Sequence, residues 1–154
     1  MRGSMISLAA FLVLCIVGGA ASGLASPPGE WYASLAKPSW NPPNWIFGPV
    51  WTVLYAMIGV AGWRLWTRRA ASAGMRALQA FAAQLALNFA WTPAFFGLQR
   101  PGLALAVIVA LLGAIAATIA LSWRTDRVAA VLLMPYMAWV SFATALNAAI
   151  WRLN

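Results

Sequence analysis

The sequence predicts an all-α membrane protein, a single domain over residues 1–154 built as a bundle of five transmembrane helices. Two observations carry this. Of the 154 residues, 64% are hydrophobic and only 8% are charged, against about 25% charged in ordinary soluble domains. Twelve charged side chains, ten basic and two acidic, cannot cover the surface of a small soluble domain. The apolar residues also fall into five segments, at about 5–25, 46–66, 77–98, 102–123 and 128–151. Each is roughly 30–36 Å long as a helix, enough to cross a hydrocarbon core of about 30 Å.

The first segment has the outline of a signal peptide, with Arg2 ahead of an apolar core and Gly23-Leu24-Ala25 as a small-x-small site. Its apolar run continues past Gly18-Gly19, however, and is long enough to span. The connection after it, about 26–45, is the one long loop. Five prolines (Pro27, Pro28, Pro38, Pro42, Pro43) favour extended or turn backbone there. Trp31, Tyr32, Leu35, Trp40 and Trp45 make it too apolar for a solvated linker. Two readings stand: a lid over the bundle, with Trp31, Lys37 and Trp40 in it, or an aromatic belt at the headgroups.

In the second segment Trp51, Tyr55 and Ile58 share a face. The third segment has two faces. Phe81, Gln84, Asn88, Trp91, Thr92 and Phe95 recur at helical spacing on one side. Ala82, Ala83, Ala86, Ala90, Ala94 and Gly97 form a small-residue stripe on the other. Such a stripe serves either packing within the bundle or a homodimer face, for which Ala82, Ala86 and Ala90 are the candidates. In the fifth segment Trp139, Ala143 and Asn147 share a face, with Pro135 about a turn earlier. Trp51, Tyr55, Asn88, Trp91 and Trp139 thus converge on an aromatic cavity beneath the long loop, or on plain aromatic core packing. Asn88 is accordingly either a ligand partner or an amide bonded to a neighbouring helix.

Basic residues give an orientation. Arg2, Arg64, Arg68, Arg69, Arg76, Arg124 and Arg127 belong to one side of a five-span chain, and Lys37, Arg100 and Arg152 to the other. The positive-inside rule then puts the N-terminus and second loop on the cytoplasmic side, with the first loop and C-terminus opposite. The +8 charge is therefore that of a membrane protein's loops, and nucleic acid is not an expected partner. Composition also limits chemistry. There is no His, one Cys (Cys15), and two acids (Glu30, Asp126). No metal site of the usual ligands, Ser-His-Asp or Cys-His nucleophile, or intramembrane proton relay of carboxylates and histidines is available. No cofactor is expected to be required. An Ala- and Arg-rich chain points to a bacterial source.

The run W-Y-A-S-L-A-K-P-S-W-N-P-P (31–43) followed by V-W-T-V-L-Y (50–55) resembles the signature of the translocator protein family, which includes the bacterial tryptophan-rich sensory proteins and the mitochondrial peripheral benzodiazepine receptor. N-F-A-W-T-P-A-F-F-G (88–97) and P-Y-M-A-W-V-S-F-A-T-A-L-N (135–147) extend the resemblance. It implies a five-helix bundle, often homodimeric. Its pocket would take porphyrin-type tetrapyrroles, benzodiazepine- and isoquinoline-type ligands and other hydrophobic small molecules. The family's pocket positions match Tyr32, Pro42, Trp51, Tyr55, Asn88, Trp91, Trp139 and Ala143. Trp51 and Trp139 match two tryptophans tied to light-dependent porphyrin breakdown. The family's cholesterol-recognition pattern needs a Tyr near the end of the last helix, where this chain has Asn147-Ala148-Ala149-Ile150-Trp151-Arg152.

The resemblance leaves three functions open. The leading one is a membrane receptor or carrier for tetrapyrroles, serving transport, sensing or stress response. The second is light- and oxygen-dependent porphyrin degradation with Trp51 and Trp139 as its candidate redox residues. The third is a regulatory membrane scaffold with sterol or lipid binding.

Overall fold

The computed structural model describes residues 2–154, with side chains from residue 4 onward; the Arg2 side chain, which enters the charge asymmetry of the loops, lies outside them. Among the described residues the secondary structure is helical throughout. Five long helices run up and down: α1 (Arg2–Ala25), α3 (Asn44–Thr67), α4 (Ser72–Thr92), α5 (Pro101–Thr125) and α6 (Arg127–Leu153). They match the five apolar segments and extend most of them by a residue or more at each end.

Four of these helices, α1, α3, α5 and α6, are both long and apolar enough to cross a membrane. The sequence predicts five equivalent spans. Helix α4 has 21 residues and so is long enough, but Arg76, Gln79, Gln84 and Asn88 lower its apolarity below that of the others.

Two local features depart from the expected chain path. The long loop is not wholly extended, because Glu30–Ser34 forms a short helix, α2. The carbonyls of Ala33 and Leu35 accept from the Lys37 ammonium at 3.3 and 3.0 Å. The third segment, in turn, does not stay α-helical to its end. Pro93 has no N–H for the Phe89 carbonyl, and Pro93–Gly97 opens into a π turn. The Ser22 hydroxyl of α1 donates to that freed carbonyl at 3.0 Å, which satisfies it where no water is at hand. Ala94, expected on the small-residue stripe, is instead buried at 6% exposure, in a cluster with Tyr32, Phe95 and Ala104 beneath the first loop.

Around the bundle α1 packs on α3, α3 on α6, α6 on α5 and α5 on α4, while α4 closes the ring against α1 and α3. Close approach depends on glycine at two points. A Cβ at Gly19 of α1 would fall on the Tyr55 ring of α3, and one at Gly74 would fall on the Arg68 carbonyl in the α3–α4 turn. The two ends of the bundle are chemically distinct. At one, Arg64 pairs with Asp126 at 2.9 Å and Arg68 approaches it at 3.6 Å. At the other, the Asn154 side chain bonds both the N–H and the carbonyl of Ala36, each at 3.0 Å, and so pins the first loop to the end of α6.

Candidate functional site: an aromatic core beneath the first loop

The centre of the site is a hydrogen-bonded chain across three helices. The Tyr55 hydroxyl of α3 donates to Asn88 Oδ1 of α4 at 2.8 Å, and Asn88 Nδ2 donates to the Tyr136 hydroxyl of α6 at 2.9 Å. Asn88 and Tyr136 are 4% and 0% exposed. Trp51 lies stacked on Tyr55, with ring centres 5.2 Å apart, and meets Tyr136 edge-on at 6.2 Å. Tyr136 accepts from Asn88 and keeps its own proton to donate.

A second layer lies under the first loop. Tyr32 of α2 is buried and meets Phe96 and Phe95 edge-on, at 5.3 and 6.2 Å. Lys37 sits 4.6 Å over its ring, and its hydroxyl reaches Asn41 Oδ1 at 3.4 Å. Burial raises the Tyr32 pKa, the Asn41 bond opposing it, so the phenol stays protonated at neutral pH. Trp31 packs on Phe95 at 5.8 Å. Trp91 joins this layer to the core. It stacks on Phe95 at 5.3 Å, and its indole N–H donates to Asn147 Oδ1 at 3.0 Å. Asn147 Nδ2 continues to the Pro101 carbonyl at 2.8 Å.

A third group links the loop to α6. Trp40 meets Phe142 at 5.7 Å, and Phe142 and Phe47 flank Trp139 at 5.6 and 5.8 Å. The Trp139 indole N–H is buried and has no acceptor. Both amide atoms of Gln84, one turn before Asn88, are likewise buried and unpartnered.

The structure thus joins Trp51 to Tyr55 by stacking and Tyr55 to Asn88 by a hydrogen bond, and packs Trp91, Trp139 and Ala143 against the same core. Tyr32 and Trp31 belong to the loop layer. Pro42 is half-buried, and its carbonyl is taken by Asn41 Nδ2 at 3.0 Å. The reading of Asn88 as an amide bonded between helices describes its contacts here. Trp40 remains 47% exposed. The rings stack on one another, and clefts of about 300 Å³ each open at the two ends of the bundle, one of them bordered by Trp31 and Leu35 of the loop layer. Sequence reasoning gave no role to Tyr136, Phe47, Phe96 or Phe142. Tyr136 sits three residues before Trp139, on the inward face that Trp139 and Ala143 already marked.

The TspO/MBR family model matches residues 11–152. The chain belongs to that family. Among curated relatives of this TspO/MBR member, the translocator protein of Homo sapiens is 43% identical over 127 residues, 81% of this chain and 75% of that protein. The tryptophan-rich protein TspO of Chlorobaculum tepidum is 41% identical over 160 residues, covering 100% of this chain and 99% of the relative. The protein CrtK of Rhodobacter capsulatus is 39% identical, covering 98% and 94%. Together with its spanning helices, the family makes the chain a multi-pass membrane protein.

Proposed function

We propose that this TspO/MBR family member is a membrane receptor or carrier for porphyrin-type tetrapyrroles, held among the rings beneath the first loop. The observation that carries the reading is the Trp139 indole N–H, buried among Phe47 and Phe142 without an acceptor. A buried orphan donor costs about 1–3 kcal/mol. An apolar, flat ligand bearing carboxylates supplies the missing acceptor and presents faces to the surrounding rings. Benzodiazepine- and isoquinoline-type molecules, with flat rings and a carbonyl, meet the same requirement.

The architecture of this reading is five spans, with α4 the fifth. Its polar Gln84 and Asn88 are buried at 0% and 4% exposure, whereas Ala82, Ala83, Ala86 and Ala90 face outward. The amides are thus hidden from lipid. The exposed alanines form the homodimer face, and the arginine-rich end lies on the cytoplasmic side.

Titration of protoporphyrin and of haem, followed by tryptophan fluorescence quenching, tests the reading on the wild type and on Trp139→Phe. The chain has no His, so metal-free protoporphyrin binds at least as well as haem. Trp139→Phe keeps a six-membered aromatic ring but removes the pyrrole ring with its donor, and weakens binding by about 5–10-fold. Unchanged affinity, or a strong preference for haem, overturns it.

A second reading, light- and oxygen-dependent breakdown of the bound porphyrin, is favoured by one arrangement. Trp51 stacks on Tyr55, which is linked through Asn88 to Tyr136. Oxidisable rings in contact with one another can share an electron hole left by excited pigment. Illumination of the complex in oxygen gives a new absorbing product in the wild type and none in Trp51→Phe or Trp139→Phe; bleaching at the rate of free porphyrin in all three excludes this reading.

A further inference from the structure

At the arginine-rich end, α4 and α5 leave a cleft of about 300 Å³ lined by Ala73, Arg76, Ala120, Leu121 and Arg124. It is distinct from the aromatic site: none of that site's rings lines it, and only Leu121 also packs on the core. Its two cations lack counterions. Of the chain's two acids, Glu30 opens α2 in the first loop at the opposite end, and Asp126 is engaged by Arg64 and Arg68. Among the described residues neither Arg76 nor Arg124 pairs with a carboxylate. Both arginines are exposed, while the remaining walls are apolar. The cleft therefore joins two fixed positive charges to a strip of Ala120 and Leu121 on one of the most apolar helices of the chain. It also lies along the last turns of α5 (Pro101–Thr125), and the ends of spanning helices meet the headgroup region.

We propose that this cleft binds the phosphate of an anionic phospholipid, with Arg76 and Arg124 on its oxygens and the start of an acyl chain along Ala120 and Leu121. Arginine forks match phosphate geometry, and basic pockets between spanning helices suit anionic headgroups. The apolar wall distinguishes a lipid from a free anion, since inorganic phosphate gains nothing from it. Arg69, at the same end, serves as a control. Its guanidinium already lies 3.8 Å over the Trp66 ring and donates to the Trp66 carbonyl at 2.7 Å.

The test counts retained lipid by native mass spectrometry after extraction from nanodiscs of phosphatidylcholine doped with phosphatidylglycerol. The wild type retains phosphatidylglycerol in preference. Arg76→Gln and Arg124→Gln each reduce the preference about fivefold, and Arg69→Gln leaves it unchanged. Ala120→Phe fills the cleft with every charge in place and also abolishes the preference, which keeps the test valid if an arginine variant folds poorly. No preference in the wild type overturns the proposal. Equal loss in Arg69→Gln reduces the effect to summed charge and also overturns it. Displacement of the lipid by inorganic phosphate at matched concentration makes the cleft a free-anion site instead.

Discussion

Asn88 links three helices through its side-chain amide. Its two amide atoms tie α3 to α6 through Tyr55 and Tyr136, and in a low-dielectric interior such a chain is costly to interrupt. Asn88→Ala leaves the fully buried Tyr136 hydroxyl without its donor and removes the acceptor of Tyr55. We expect a loss of about 2 kcal/mol, within the range for orphaned buried groups. Tyr136→Phe removes one bond and costs about 1 kcal/mol. The double variant loses less than the sum, because both changes break the same bond. Equilibrium unfolding in mixed micelles measures all three, and strict additivity would show that the two residues act separately. The inward placement of Asn88 was readable from its helical spacing with Phe81, Gln84 and Trp91. Its partners were not, because Tyr55 and Tyr136 lie 33 and 48 residues away, and periodicity along one helix carries no information on pairing across helices. The same holds for the unpartnered N–H of Trp139, whose want of an acceptor depends on what neighbouring elements fail to supply.

At the scale of elements, the spans were legible because each is one long apolar run, while the short pieces between them were not. Helix α2 has five residues between proline-rich flanks, too few for a periodic signal. The π turn arises from Pro93 but needs Ser22 on another helix to be tolerable. Two devices at the bundle ends set how the elements are held. Asp126 accepts from the Ala129 N–H at the start of α6 and from Arg64 at the end of α3. Burial raises its pKa, but the bonds from Arg64 and Ala129 and the charges of Arg64 and Arg68 outweigh this and hold it below the usual carboxylate value. A lowered folded pKa contributes stability that is complete above the unfolded value of about 3.9 and is lost as pH falls through the folded value. Unfolding midpoints of the wild type should therefore drop below about pH 4, whereas Asp126→Asn, which keeps an N-cap side chain, flattens that limb. At neutral pH the variant costs about 1–2 kcal/mol, since Arg64 is partly solvated; a wild-type acid limb retained in the variant would assign the loss to another group. At the opposite end, the paired bonds from Asn154 to Ala36 hold the first loop against α6. Asn154→Ala frees the loop while every ring beneath it remains, so stopped-flow release of bound porphyrin accelerates more than its entry slows. Equal release rates would mean that ring packing alone, through Tyr32 and Trp31, keeps the loop closed.

The whole molecule separates its tasks onto opposite sides of α4. The inward side carries Gln84 and Asn88, both buried, and the outward side carries Ala82, Ala86 and Ala90, all exposed. That division was visible in the sequence up to Ala90 and failed at Ala94, which the first loop and α5 cover through Tyr32 and Ala104. A surface of alanines gains little from lipid and allows a second helix to approach until backbones nearly touch, which is where packing between membrane helices is strongest. The proposed homodimer forms on this face. Ala86→Phe places a ring at the middle of the stripe and holds two helices apart, so the variant runs as a monomer in native mass spectrometry and no longer cross-links. Because the Asn88 side chain is turned into the bundle and anchored on both sides, the added ring does not disturb Tyr55, Tyr136 or Trp139, and porphyrin affinity stays at the wild-type level. A dimer that persists in Ala86→Phe would move the interface to another helix. A monomer that also loses porphyrin would show that the partner shapes the aromatic core through α4, since no residue of that core lies on the altered face.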